Sequence, residues 1–177
     1  MAFNISTTET INNSGVVNPQ TVTNGICQIK NYTTTNSLSG QLGGSTDPSS
    51  SDGTSLITLA FTPLFATSKL FLFSNTISIS EGTNAFDLGY VAAYVDNTRL
   101  QMSATPLENL SHWVGSLFCS WPSLSIIFNS WGNNTKNIDI RVGANNNNTP
   151  IYVNLNPDAA GQHPSAEINF TIMEIKQ

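Results

Sequence analysis

Apolar and polar side chains alternate along much of this 177-residue chain. The clearest case is residues 69–80, where Phe71, Phe73, Ile77 and Ile79 fall on one face of an extended strand. Alternation with a period of two is typical of strands that turn one face to a core. No stretch of ten residues carries a helical period. The pattern therefore predicts an all-β protein.

The alternation recurs between turn signals along the rest of the chain. From residue 55 onward the predicted strands are 56–61, 69–80, 86–95, 98–102, 112–116, 124–128, 137–144, 151–155 and 167–175. Asp96 and Asn97 have the chemistry of a tight hairpin turn. Short strands separated by turns every 8–12 residues or so are typical of an antiparallel β-sandwich. Among sandwiches, a jelly roll agrees best with this number of strands.

The first 54 residues differ from the rest in composition. They contain two weaker strand candidates, 3–10 and 26–33, and a stretch at 37–53 rich in Gly, Ser, Asp and Pro. Such sequences bury too little apolar surface to fold alone. We expect residues 1–25 to form an extended N-terminal arm that becomes ordered against a partner. Residues 26–54 would then hold one strand and a long loop, 37–54, and residues 55–177 the sandwich domain.

Composition narrows the class of protein. Asparagine, serine and threonine make up more than a third of the chain, with 22, 21 and 20 residues, whereas only 10% is charged. Neutral amides and hydroxyls must therefore wet most of the surface, which suits a protein exposed outside a cell or on a particle. The net charge is −5 and the six Lys and Arg residues are scattered, whereas phosphate recognition needs a basic stripe. We expect no nucleic-acid binding.

The ends and the apolar runs of the chain bear on where it acts. The first residues lack the basic and apolar regions of a secretory signal. No apolar run approaches the roughly 20 residues that span a bilayer, so we expect no membrane partner. A virion component made in the host cytoplasm would combine a surface-like composition with the missing signal.

Catalytic and metal-binding patterns are sparse. His112 and His163 are 51 residues apart and no third ligand is evident. The chain has no Gly-x-Ser-x-Gly motif, and its few carboxylates lie mainly in turns. We therefore expect no enzyme activity and no cofactor. Cys27 and Cys119 can form a disulfide, although two separate, partly buried thiols are the simpler interpretation.

Three tryptophans, Trp113, Trp121 and Trp131, occur within 19 residues. Tryptophan offers a large contact area at low entropic cost, as sugar-binding platforms and interfaces require. The alternative is a set of core or subunit-interface aromatics. Trp131 stands next to a turn that contains Asn133 and Asn134. The candidate residues for a partner or glycan contact are therefore Trp131, Trp113, Asn133 and Asn134.

Two segments resemble structural proteins of tailed bacteriophages. One is residues 57–72, where a strand, a Thr-Pro break at 62–63 and a Ser-Lys start of the next strand at 68–69 follow in order. The other is the closing strand, 168–175, which ends in Met-Glu-Ile. The opening residues, 1–17, also look like the start of phage fibre-type proteins. The resemblance implies a virion structural role and a homotrimer, and it carries over no catalytic residue.

Three functions remain open from the sequence. The leading hypothesis is a capsid decoration (cement) protein whose partner is the major capsid protein or another virion protein. The others are a short tail-fibre or receptor-binding module that contacts host glycans, and a secreted lectin or glycosidase-like sandwich. Leu70 and Leu72 on one face, against Phe71 and Phe73 on the other, leave apolar area for a subunit interface. Three-fold assembly is a natural closed arrangement.

Overall fold

The structure is a computed structural model that describes residues 25–40, 42–43, 45–75, 77, 79–81, 88–106, 123–145, 151–154 and 167–177. Within these ranges all regular secondary structure is β-strand. The strands are β1 (Gly25–Thr34), β2 (Leu38–Gly40), β3 (Thr54–Phe61), β4 (Lys69–Ser74), β5 (Ile79–Glu81), β6 (Leu88–Val95), β7 (Thr98–Pro106), β8 (Ser125–Asn129), β9 (Lys136–Ala144), β10 (Ile151–Val153) and β11 (Ile168–Lys176).

The strands form two four-stranded antiparallel sheets and a smaller one. The first sheet has the order β1-β11-β4-β8, and the second has the order β3-β9-β6-β7. A small sheet has the order β2-β10-β5. In the sequence, β2 follows β1, β10 precedes β11 and β5 follows β4, and the order β2-β10-β5 matches the order β1-β11-β4. The small sheet therefore continues the first sheet beyond a bend.

The two large sheets share one hydrophobic core. Its largest side chains come from the facing sides of both sheets and from the small sheet, and all are fully buried: Phe61, Phe170, Leu56, Leu59, Leu70, Leu72, Ile77, Ile79, Leu124, Ile138, Ile140 and Ile151. Burial of this much aliphatic and aromatic surface is the main stabilising contribution. The predicted all-β antiparallel sandwich is confirmed.

Most predicted strands are present with shifted ends. The predictions at 26–33, 56–61, 86–95, 98–102, 124–128, 137–144, 151–155 and 167–175 correspond to β1, β3, β6, β7, β8, β9, β10 and β11. The hairpin turn between β6 and β7 is confirmed, since Asp96 and Asn97 have φ angles of 49° and 64°, as a type I′ turn requires. The predicted strands at 3–10 and 112–116 lie outside the described residues.

Three predictions about the strands and segments were wrong in detail. The strand predicted over 69–80 is broken into β4 and β5, which lie on either side of the bend. The predicted loop 37–54 contains β2 and the start of β3. Gly25, assigned by sequence to the N-terminal arm, is the first residue of β1. In each case the strand begins or ends where its pairing with a strand distant in sequence begins or ends. The local alternation of side chains does not reveal this pairing.

Asparagines lie where the first sheet meets the small sheet. Asn36 follows β1, Asn75 follows β4 and Asn154 follows β10. The amide of Asn75 accepts from Asn169 N at 2.9 Å and donates to Glu167 O at 3.0 Å. The Asn154 amide donates to Asn36 O at 3.1 Å. Side-chain amides thus replace ladder hydrogen bonds where the strands turn away from one another.

Residues 45–53, here named the cover segment, lie across the outer face of the second sheet. Tyr94 Oη and Arg99 Nη1 donate to Pro48 O at 2.7 and 2.8 Å. Arg141 donates to Asp52 O at 2.9 Å and to Gly53 O at 2.7 Å. The Ser- and Asp-rich stretch is therefore held by long side chains of the sheet beneath it.

Among the described residues, no helix has the length and apolarity needed to cross a membrane.

Candidate functional site

An apolar row crosses the outer face of the first sheet. The strand register places Ile29 opposite Met173, Met173 opposite Phe71, and Phe71 opposite Ile127. Directly opposed residues in antiparallel strands project from the same face. Ile29 is 51% exposed and Ile127 is 64% exposed, while Met173 and Phe71 between them are half-buried. We name these four residues the apolar row.

The rows on either side extend this surface. One side has Phe73, whose ring centroid lies 5.2 Å from that of Phe71, and the other has Ile175 opposite Lys69. On the outer face of these four strands, Lys69 is the one charged side chain. The residues of this face are Ile26, Ile29, Asn31, Thr33, Asn169, Thr171, Met173, Ile175, Lys69, Phe71, Phe73, Ser125, Ile127 and Asn129. An exposed apolar surface with so little charge is typical of a protein interface.

Strand β4 is apolar on both faces. Leu70 and Leu72 are fully buried in the core, and Phe71 and Phe73 lie on the outer face. The inner face is thus packed against the second sheet, whereas Phe71 and Phe73 project from the opposite face with their ring centroids 5.2 Å apart. The surplus apolar area inferred from the sequence is therefore present.

A buried carboxylate fixes the segment that leads into β4. Glu174 is fully buried and accepts hydrogen bonds from Leu64 N and Phe65 N, each at 2.8 Å, and from Ser68 Oγ at 2.6 Å. Turning the side-chain amide of Gln28 adds a donor at 3.0 Å. Hydrogen bonds to an ionised acceptor are the strong ones, so Glu174 holds the connection between β3 and β4 against β11.

Cys27 lies beside this carboxylate as a buried free thiol. It is the extra residue where the register between β1 and β11 shifts, and its Sγ donates to Glu174 O at 3.4 Å. Burial, helped by the nearby Glu174 charge, raises the pKa of the thiol from 9.0 to about 11. A thiol that stays protonated at neutral pH is a poor nucleophile, so Cys27 has a packing role.

Trp131 is half-buried at the rim of the core. Its ring stacks on Phe128 with centroids 6.0 Å apart and planes 17° apart, and it meets Phe61 edge-on at 6.4 Å. Its indole N–H donates to Asn134 O at 2.8 Å, closing the turn. Trp131 thus anchors the turn on the sandwich, and the exposed side chains of the turn are Asn133 and Asn134.

The other candidates from the sequence cannot be placed. Trp113, Trp121, Cys119, His112 and His163 lie outside the described residues. A glycan contact by Trp131, Trp113, Asn133 and Asn134 therefore stays a prediction. Within the described part of the chain, no group of three His, Cys, Asp or Glu side chains is close enough to hold a metal ion.

Sequence reasoning missed Ile29, Ile127 and Met173 as surface residues. A signal for Ile127 was available, because residues 126–128 are all apolar and a strand cannot turn three successive side chains to one core. Ile29 and Met173 carried no such signal. Only the register of β1 with β11 places them in one row.

Comparison with known proteins gives no sequence family. No family model matches the chain, and no curated protein matches it. Among solved structures it is similar to the EclA C-terminal domain, described as a sugar-binding protein, at 12% identity and a TM-score of 0.37, over 76% of this chain and 78% of that one.

The chain is also similar to capsid structures of infectious bursal disease virus. The VP2 subviral particle matches at 8% identity and a TM-score of 0.40, over 84% of this chain and 39% of that one. The Gx strain matches at 12% identity and a TM-score of 0.38, with the same coverage. This chain spans well under half of those viral chains. At such TM-scores the likeness carries no functional argument, and the resemblance to tailed-phage proteins stays a prediction.

Proposed function

We propose that this protein is a virion structural protein that acts by binding other subunits and performs no catalysis. The observation that carries the proposal is the apolar row, Ile29, Met173, Phe71 and Ile127, on an outer face with one charged side chain. The free energy falls when another protein covers such a face and removes it from water. The low charge of the whole chain, 10%, limits the cost of burying polar groups in such contacts.

The occupant of this face is a further copy of the same chain. A surface that is nearly uncharged and apolar matches itself without electrostatic repulsion, and closed symmetric assembly is the usual form of such contacts. The sequence resemblance implies three copies. In this homotrimer the first sheets face the three-fold axis, and the second sheets face outward.

Attachment to the particle is assigned to the N-terminal arm, residues 1–25 as read from the sequence. The partner is the major capsid protein or another virion protein, and the resulting location is the particle surface. Many such contacts stabilise the assembled shell because they bind the assembled state and not its free parts. A capsid decoration protein works in this way.

The alternative is a short tail-fibre or receptor-binding module. The exposed asparagines of the turn at 131–134 favour this alternative, because side-chain amides can form hydrogen bonds with hydroxyl-rich partners such as glycans. Its location on the particle separates the two roles, since a fibre module belongs to the tail.

The experiment that tests the proposal is to locate the protein on purified virus particles by antibody labelling and electron microscopy. Signal over the head lattice supports decoration. Signal confined to the tail replaces decoration with the fibre role, and absence from particles overturns the virion role.

The arm is tested separately by deleting residues 1–24, which leaves β1 complete. The shortened protein is expected to keep its sandwich, seen as an unchanged β-type circular dichroism spectrum, and to lose attachment to particles. Normal attachment of the shortened protein would show that the arm is not the docking element.

The strand orders support a jelly roll as the specific type of sandwich. If each small-sheet strand is counted with its continuation, eight strands remain, and the sheets read 1-11-4-8 and 3-9-6-7. Successive strands then cross repeatedly between the sheets, apart from the β6–β7 hairpin, as in paired Greek keys. An experimental structure would test this topology.

A further inference from the structure

A polar pocket of about 460 Å³ lies on the outer face of the second sheet, on the side of the sandwich opposite the apolar row. Its walls come from the cover segment, the β6–β7 hairpin and the start of β9, and its lining residues are Ser50, Tyr94, Asp96, Asn97, Thr135, Lys136, Asn137 and Asp139. The volume falls within the range of about 300–1,000 Å³ that is usual for small-molecule sites. We propose that this pocket binds a neutral, hydroxyl-rich ligand, namely a sugar residue of a glycan.

The charges of the pocket are internally paired. Lys136 Nζ bonds the carboxylate of Asp96, and Arg141 Nη1 bonds that of Asp139 at 2.9 Å. Ser55 Oγ donates to the second oxygen of Asp139. A charged ligand therefore meets nearly equal amounts of both signs and gains no net attraction. This balance disfavours phosphate, nucleotide and acidic-sugar ligands.

The groups left for a ligand are neutral amides and hydroxyls. Within the part of the chain that the structure describes, the side-chain amides of Asn97 and Asn137 make no hydrogen bond to protein. Both are exposed at the mouth of the pocket. A planar amide offers a donor and an acceptor side by side, which suits two adjacent sugar hydroxyls.

The pocket is preorganised by its surroundings. Asn97 is fixed in a left-handed backbone conformation by the hairpin turn, with φ of 64°. Tyr94 is 3% exposed and its hydroxyl donates to Pro48 O at 2.7 Å. Its ring is therefore held in place beneath the cover segment, at the bottom of the pocket. Thr135 is tied to Thr62 by a hydroxyl contact of 2.6 Å. A site that is rigid before binding loses less entropy when it binds.

The expected affinity for one sugar is weak, with Kd of about 1 mM, because the pocket is open and the contacts compete with water. Several copies on one assembly would raise the avidity. This pocket is a different site from the turn at 131–134. Sugar binding in the pocket does not depend on a role of the protein in a particle.

The test is nuclear magnetic resonance titration of the protein with free neutral monosaccharides, acidic monosaccharides and inorganic phosphate. Shifts of the Asn97, Asn137 and Asp139 signals are expected with at least one neutral sugar and not with phosphate. A second arm applies the protein to immobilised glycans, which separates recognition of a free sugar from recognition of a surface glycan.

Two variants and a control decide the site. Asn137→Ala and Asn97→Gly, the latter suited to a positive φ, are each expected to weaken binding at least tenfold. Asn133→Ala on the neighbouring turn is the matched control and should leave binding unchanged. The proposal is overturned if no neutral sugar shifts these signals, if acidic sugars or phosphate bind better, or if only Asn133→Ala reduces binding.

Discussion

The fully buried carboxylate of Glu174 joins the two short motifs that the sequence carries at distant positions. Glu174 belongs to the closing Met-Glu-Ile of β11, and its acceptors hold Leu64, Phe65 and Ser68 between the Thr-Pro break and Lys69. The Thr-Pro break follows the end of β3, the Ser68 hydroxyl precedes β4, and the carboxylate binds the chain between them. The motifs therefore have one physical reason to occur together.

Glu174→Gln tests this unit. A neutral amide keeps the size of the side chain but places an NH₂ group against a backbone donor, so at least one buried N–H loses its acceptor. We expect a loss of about 2–3 kcal/mol in the free energy of unfolding, measured by urea titration. Glu167→Gln, a change at an exposed glutamate, is the control and should stay within about 0.5 kcal/mol. Equal losses in the two variants would contradict the assignment.

The thiol of Cys27 predicts a pH dependence at high pH. Folding raises the pKa of the thiol from 9.0 to about 11, because the folded protein buries it. Between these values the unfolded chain releases a proton that the folded protein keeps, so stability is full below about pH 9 and falls as the pH rises towards 11. Unfolding free energies of wild type and Cys27→Ser are expected to converge across this window. Parallel curves would show that Cys27 does not contribute.

At the scale of the element, the cover segment depends on side chains from strands far away in the sequence. Arg141 reaches two of its carbonyls, Asp52 O and Gly53 O, with one guanidinium group, and Arg99 reaches Pro48 O and also pairs with Asp47 at 2.6 Å. Nothing in the local sequence of residues 45–53 indicates that this segment lies over the sheet and is held there by hydrogen bonds. The segment also forms one wall of the polar pocket.

Arg141→Lys should release one end of the cover segment. Lysine keeps the charge beside Asp139 but cannot bond two carbonyls with a planar fork. Losing hydrogen bonds to a charged group costs about 1.5–3 kcal/mol, so the Asp52 and Gly53 amides should exchange with solvent roughly ten to a hundred times faster. Amides of β11 serve as the internal reference, and Lys69→Arg on the other sheet is the control variant. Unchanged exchange at both amides would contradict the role of Arg141.

At the scale of the whole molecule, the two outer faces differ in kind. The first sheet presents the apolar row, and the second presents the cover segment and the polar pocket. If copies meet through their first sheets, each pocket faces the surrounding medium. An assembly of this form would hide its apolar surface and display its polar one.

Ile127→Lys tests the assembly surface. A lysine at this 64% exposed position leaves the core untouched and places a charge in the apolar row, which must be desolvated on association. We expect a shift from trimer to monomer, measured by sedimentation velocity, with an unchanged β-type circular dichroism spectrum. Thr58→Lys places the same charge on the second sheet opposite Asp139 and should leave the mass unchanged. A wild-type protein that is monomeric at high concentration would overturn the proposed contact.

The sequence predicted what local alternation controls. Strands such as β3 and β9 were found because their own side chains alternate. The break between β4 and β5 was missed because it depends on Asn75 bonding to Asn169, which is 94 residues away. The apolar row and the pocket were missed for the same reason, since the row joins four strands and the pocket joins three separate segments. Trp131 shows the converse, because a residue named from its place beside a turn as a candidate contact is half-buried against the core.

The asparagines between the first sheet and the small sheet have a consequence for the conditions that the protein can tolerate. The hydrogen bonds that join Asn36 to Leu56 O, Asn154 to Asn36 O and Asn169 N to Asn75 are between neutral groups, and dissolved ions screen mainly charges. The contribution of these contacts to the unfolding free energy is therefore expected to change little when sodium chloride is raised from dilute buffer to about 1 M, as urea titrations of wild type and Asn75→Ala in both would measure. Contacts between uncharged amides are thus expected to hold the junction of the two sheets at low and at high salt concentration.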